Sequence, residues 1–155
     1  MNIRRAEERD TPKVLDLLSQ VLEVHAEIRP DLFISGTRKY TEDELREIFP
    51  DDRRPVWVAE EDGAVLGYCF CEIEETRGSN VLRDNLTMYI DDLCVDETAR
   101  GKDIGKALCE YAEERAREMG CRAVTLNVWE GNDRALGFYR KMGFGVRKTM
   151  MEKIL

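Results

Sequence analysis

Asp91 to Leu108 reads D-D-L-C-V-D-E-T-A-R-G-K-D-I-G-K-A-L, an apolar strand that passes through a turn into a basic, glycine-spaced loop and then a helix. The first amides of a helix have no partner inside it, and the helix dipole adds about half a positive charge at that end. Arg100, Gly101, Lys102, Gly105 and Lys106 bring positive charge and close backbone approach to the same place. Such a combination suits a phosphate-bearing ligand. Asp91 and Asp92 stand just upstream. Neighbouring strand residues point to opposite faces, so only one of the two carboxylates can face a given cleft. His25, the only histidine, is of a type that could titrate near neutrality, and Glu72 lies on a strand opposite Cys71, where it could face a cleft as a second base.

The elements that must position these groups follow from the chain's 155 residues, of which 43% are hydrophobic and 36% charged. That length and balance predict one globular domain, residues 1–155, with a buried core. A formal net charge of −8 argues against nucleic acid as a partner and favours cationic molecules or basic peptides. It also makes the basic loop a local exception. No apolar run approaches a membrane span, and the N-terminus lacks a signal-peptide pattern, so the expected address is cytoplasmic. The five cysteines, Cys69, Cys71, Cys94, Cys109 and Cys121, show no C-x2-C spacing and are expected to be reduced and structural, with no metal site.

Periodicity predicts a strand over Asn2–Ala6 and a helix from an Asp10 cap to about Ile28, halted by Pro30. The loop Arg29–Tyr40 carries Phe33 and Tyr40, either as a substrate wall or as core plugs. Thr41 and Glu44 form a capping box for a short helix ending near Phe49. Strands follow over Val56–Glu60 and Val65–Ile73 around an Asp62-Gly63 turn, and again over Leu86–Val95. A helix over Ile104–Met119 stops at Gly120; a strand follows over Ala123–Val128, then a helix capped by Asn132 or Asp133 that stops at Gly143. Val146–Ile154 is expected to close the sheet. The order β-α-α-β-β-β-α-β-α-β is a mixed α/β arrangement with helices on both sides.

Two motifs in this order carry a resemblance. The loop Arg100-Gly101-Lys102-Asp103-Ile104-Gly105 is similar to R/Q-x-x-G-x-G/A, and Asn132 with Phe138-Tyr139-Arg140-Lys141-Met142-Gly143-Phe144 is similar to an Asn followed by F-Y-x-K-x-G-F. Together they resemble the GNAT superfamily of acetyl-CoA-dependent N-acetyltransferases, over essentially the whole chain. Asp103 departs from the pattern, standing where the family most often has its first motif glycine. An aspartate there can cap the following helix.

The resemblance implies the acyl-CoA N-acyltransferase fold: a mostly antiparallel, splayed sheet of six to seven strands flanked by about four helices. It implies acetyl-CoA as donor, held by loop residues 100–106, with its pantetheine arm laid along Leu93, Cys94 and Val95. A bulge there would part this strand from the next, and an amide near Leu93 or Cys94 would face the thioester carbonyl. Tyr139 is implied as general acid for the leaving thiolate, and Asn132 as a cofactor contact or a helix cap. The I-D-D-L-C-V stretch is similar to the acidic-pair strand of diamine acetyltransferases, which puts Asp91 as base and Asp92 as anchor, an order that a bulge would swap. His25, Phe33 and Glu72 are the acceptor-site candidates, Trp57 and Trp129 are assigned no chemistry, and a homodimer is a habit of the family. The expected reaction is direct acetyl transfer to the amine of a small cationic molecule or a peptide. The alternative is a non-catalytic acyl-CoA sensor, kept open by Asp103.

Overall fold

The computed structural model describes residues 1–155. Asn2–Arg5 (β1) leads through a short 3-10 turn into Thr11–Ile28 (α1), and Glu42–Ile48 (α2) follows the intervening loop. Val56–Glu61 (β2), Ala64–Thr76 (β3) and Asn85–Val95 (β4) form an antiparallel meander. Ile104–Glu118 (α3), Ala123–Leu126 (β5) and Asp133–Lys141 (α4) complete the regular structure. The sheet has five strands in sequential order, antiparallel throughout except for the parallel β4–β5 pair.

Local chemistry explains most of these boundaries. Asp62 and Gly63 both take positive φ, the geometry of a two-residue hairpin whose twist matches its strands. Thr41 accepts from the Glu44 amide while Glu44 reaches back to the Thr41 amide, closing the capping box of α2. Asn132 accepts from the Ala135 amide and caps α4. Asp10 precedes α1 without a side-chain cap bond. Its carboxylate instead takes a forked pair of hydrogen bonds from Arg4, at 2.7 and 2.9 Å, plus the Glu7 amide.

Helices cover both faces of the sheet, so central strands are apolar on both sides. Val14, Leu17 and Leu18 of α1 pack with Leu45 and Ile48 of α2 against Val56, Val58, Tyr68 and Phe70. On the other face Ile104, Leu108, Cys109 and Ala112 of α3 pack against Trp57, Cys69, Cys71, Met88 and Ile90. Gly67 permits this closeness: a Cβ there would lie 2.7 Å from the Cys94 carbonyl oxygen and 3.3 Å from Leu108. All five cysteines are free.

Two expectations need correction. Val146–Ile154 is not a strand: residues 145–155 make no backbone hydrogen bond and hold no regular structure, which leaves five strands rather than six or seven. The segment has strand-like residues but no ladder partner within the chain, and propensity without pairing does not make a strand. The second correction moves the bulge. Register pairs Phe70 with Asp92 and Cys71 with Ile90, so the extra residue of β4 is Asp91, upstream of Leu93–Val95.

Candidate active site

β4 is paired on both sides only as far as Ile90, which faces Leu126 of β5. Beyond it the β3 ladder continues to Val95 opposite Gly67, while the β5 side has no partner. A crevice therefore opens along Asp91–Val95. The Asp96 amide donates to the Leu66 carbonyl on the β3 side, at 2.8 Å. Alternation along the strand then turns the Leu93 and Val95 amides away from β3, into the crevice, and the Cys94 amide towards β3. Of the two amides expected to face a carbonyl there, Leu93 has the right side. The Cys94 side chain is buried with the α1 face, and burial pushes its thiol up to about 12.

The crevice ends at the basic loop. Gly101 (φ 81°) and Asp103 (φ 57°) are both left-handed, which folds Arg100–Asp103 into a tight turn. Aspartate is among the few residues that tolerate this conformation, so the departure from glycine costs little in backbone terms. Asp103, at positive φ, does not cap α3 through its side chain, contrary to expectation. The first helical amide bonded in the standard way is that of Ala107, to the Asp103 carbonyl at 2.9 Å. No acidic side chain occupies the first turn. The N-terminal amides of α3 remain available to an anion, with Arg100, Lys102 and Lys106 exposed around them. The missing side chain of Gly105 leaves space between Val95 and Phe138 at the foot of the crevice. Asp96 fixes the start of the loop: it accepts from Thr98 and pairs with Lys13 of α1, contacts that hold its carboxyl far below the usual range.

The two aspartates differ sharply. Asp91 receives Lys39 on one oxygen, at 2.7 Å, and the Tyr40 hydroxyl on the other, at 2.5 Å. Burial pulls the Lys39 ammonium down, and the hydrogen bond and charge of Asp91 more than reverse this. Tyr40 is raised by burial and by the same carboxylate, so it stays protonated. Asp92 accepts from the Tyr68 hydroxyl at 2.9 Å. Burial, with a smaller push from the Asp91 charge, raises its carboxyl to about 6, against the pull of Lys39, Tyr68 and the Leu93 amide. Glu72 lies opposite Tyr89 across the ladder, and burial together with the Asp91 charge raises its pKa.

Tyr139 is held on α4 between the rings of Phe138 and Phe144, with centroids at 5.1 and 5.6 Å. Burial raises its hydroxyl well above the ordinary phenol value, with smaller contributions from Cys69, Cys109 and Asp92. That hydroxyl has no hydrogen-bond partner within the protein. Of the acceptor-site candidates, Phe33 lies tilted 5.1 Å from His25 and meets Trp129 edge-on at 5.2 Å. His25 is lowered by burial and by the Lys39 charge. Phe33 is thus a wall linking α1 to the segment after β5. The sequence offered Tyr40 as a wall or a core plug, but it gave no sign of Tyr68 or of the contact between Trp129 and Phe33. Only the basic residues of a loop without period hinted at Lys39.

Residues 20–144 match the model of the acetyltransferase (GNAT) family. The chain belongs to this family. A peptidyl-lysine N-acetyltransferase, YjaB, of Salmonella typhimurium is 30% identical to this GNAT chain over 94% of its length and 84% of the relative's. An uncharacterized N-acetyltransferase of Lactobacillus delbrueckii subsp. lactis is 32% identical over 53% of this chain, and the match spans about half of that relative, 46%. Among solved structures, a mutant of the BH1408 protein from Bacillus halodurans superposes with a TM-score of 0.96 at 31% identity, covering 100% of this chain and 99% of that one. No helix of this GNAT chain is long and apolar enough to cross a membrane.

Proposed function

We propose that this N-acetyltransferase moves the acetyl group of acetyl-CoA directly onto the amine of a small cationic molecule or a peptide. The observation that carries the reading is the parting of β4 from β5 after Ile90, immediately above a helix N-terminus with free amides. The α3 amides, Arg100, Lys102 and Lys106 hold the diphosphate, and the main chain of Leu93–Val95 receives the pantetheine arm as an added strand. Acetyl-CoA supplies the activated acyl group as a thioester. The Leu93 amide stabilises the oxyanion. Tyr139 keeps its proton in a buried setting and delivers it to the departing thiolate. Asp91 binds the incoming ammonium, and Asp92, with a pKa near neutrality, is the better placed to take a proton through water. The swap of roles follows from the bulge at Asp91 and from the occupation of both Asp91 oxygens.

Glu72 and the His25–Phe33–Trp129 wall bound the acceptor. The acidic chain and the name of the Salmonella relative both favour a lysine-like amine. Two copies work together as a homodimer, supported by the unpaired residues 145–155. Calorimetry with acetyl-CoA, followed by thiol release with polyamines, aminoglycosides and lysine peptides, tests the reading. Binding and release are expected, with Tyr139→Phe lowering kcat about 100-fold and leaving cofactor affinity within about twofold. Binding without release across the panel would instead identify an acyl-CoA sensor.

A further inference from the structure

Lys39 brings a primary amine to the end of the crevice. Its Nζ lies 2.7 Å from Asp91 Oδ1 and 3.4 Å from the Asp91 carbonyl oxygen, at the bulged residue where β5 falls away. From Val95 to Asp91 the strand covers about 13 Å, at about 3.3 Å per residue. A thiol-ended arm laid from the loop along Leu93–Val95 therefore delivers its end beside Asp91. An amine and a carboxylate already meet there, which is the pairing an acceptor requires. Lys39 belongs to a segment outside every helix and strand, and its side chain is 42% exposed, so it has room to move by the small distance an attack needs. Tyr40, stacked on Phe70 with centroids 5.4 Å apart, keeps the segment docked while it does so.

We propose that Lys39 is a self-acetylation site, modified in cis by acetyl-CoA bound in the chain's own crevice; this rests on the transferase reading above. Asp91 holds Lys39 Nζ in place while it loses a proton to the alkaline solvent, and the nitrogen attacks the thioester carbonyl carbon with the freed electron pair. The N–C bond forms, the C–S bond breaks, and the nitrogen releases a second proton as the amide is made. The thiolate leaves with a proton from Tyr139, so one proton in all passes to solvent. The product is a neutral amide that can no longer pair with Asp91, which frees that carboxylate for an external ammonium.

The full chain, its Lys39→Arg variant and its Asp91→Asn variant are incubated with acetyl-CoA in mildly alkaline buffer, and each lysine is followed by tandem mass spectrometry. Lys39 is expected to gain acetyl at least about tenfold faster than Lys13, Lys148 or Lys153, because it alone is held beside the thioester. The rate should not change on dilution, the preference should vanish in urea, and Lys39→Arg should lose the fast site. Asp91→Asn should slow Lys39 about tenfold while calorimetric affinity for acetyl-CoA stays within about twofold. Modification of Lys39 no faster than Lys148 in the folded chain would overturn the proposal, as would a rate that grows with protein concentration. If acetyl-CoA binds and external amines release thiol while Lys39 stays bare, self-acetylation fails and the transferase reading stands. Absence of binding sinks both.

Discussion

Asp92 is the residue whose surroundings most change its chemistry. A carboxyl raised to about 6 holds its proton more tightly in the folded than in the unfolded chain, whose ordinary aspartate value is 3.8. The sign of the linkage follows: stability from this group is present below the unfolded value and is lost as pH rises through the folded one. Asp92→Asn should therefore be indistinguishable from the parent near pH 3 and more stable than it above pH 6. The gap should reach about 2 kcal/mol, taking 1.36 kcal/mol per unit and discounting for partial exposure. Urea melts across that range measure it. A constant difference between the two proteins would mean that Asp92 titrates normally. The same variant removes the proposed base, so turnover should fall even where stability improves.

At the scale of elements, the phosphate loop and its helix make the clearest test. Asp103 holds a left-handed position, leaves the α3 amides uncapped and stands beside the proposed diphosphate site. Asp103→Gly should relax the backbone and remove a nearby negative charge. The affinity gain for acetyl-CoA should be about fivefold, corresponding to about 1 kcal/mol for a screened surface charge, with melting temperature nearly unchanged. Calorimetry reads the affinity, and an unchanged value would place the carboxylate away from the ligand. This loop was legible in the sequence because two glycines, three basic residues and a following apolar period all point to one structure. The α2 capping box and the Asp62-Gly63 hairpin were legible for the same reason: their signals are local. The register of β4 was not. A bulge depends on how Phe70 and Cys71 meet Ile90 and Asp92 across the ladder, and no property of I-D-D-L-C-V alone fixes it. Lys39 escaped notice, and Tyr40 stayed open between wall and plug, because their partner Asp91 is far away in the chain and their own segment has no period.

For the whole molecule, form turns on the C-terminal residues. Residues 145–155 leave every backbone hydrogen-bonding group without a partner in the chain, and Met150 and Met151 are 99% and 88% exposed. Their one anchor is the pair between Glu152 and Arg29, at 2.5 Å. β5, only Ala123–Leu126, meanwhile has no strand on its outer edge. Beside it runs a groove of about 370 Å³ where Glu113, Arg117 and Arg122 stand among Cys121, Val124 and Phe144. An open edge, a groove of mixed character and an unpaired segment that carries Val146, Met150, Met151 and Ile154 satisfy one another if the segment comes from a second copy, since each copy offers both halves of the contact. The full chain should then be a dimer by light scattering, and a chain ending at Gly145 should be a folded monomer that melts lower. The truncated chain should keep acetyl-CoA binding, because residues 91–106 lie on the other side of β5 from this edge. A monomeric full chain, or a dimer that survives the truncation, would show that the arm has another use.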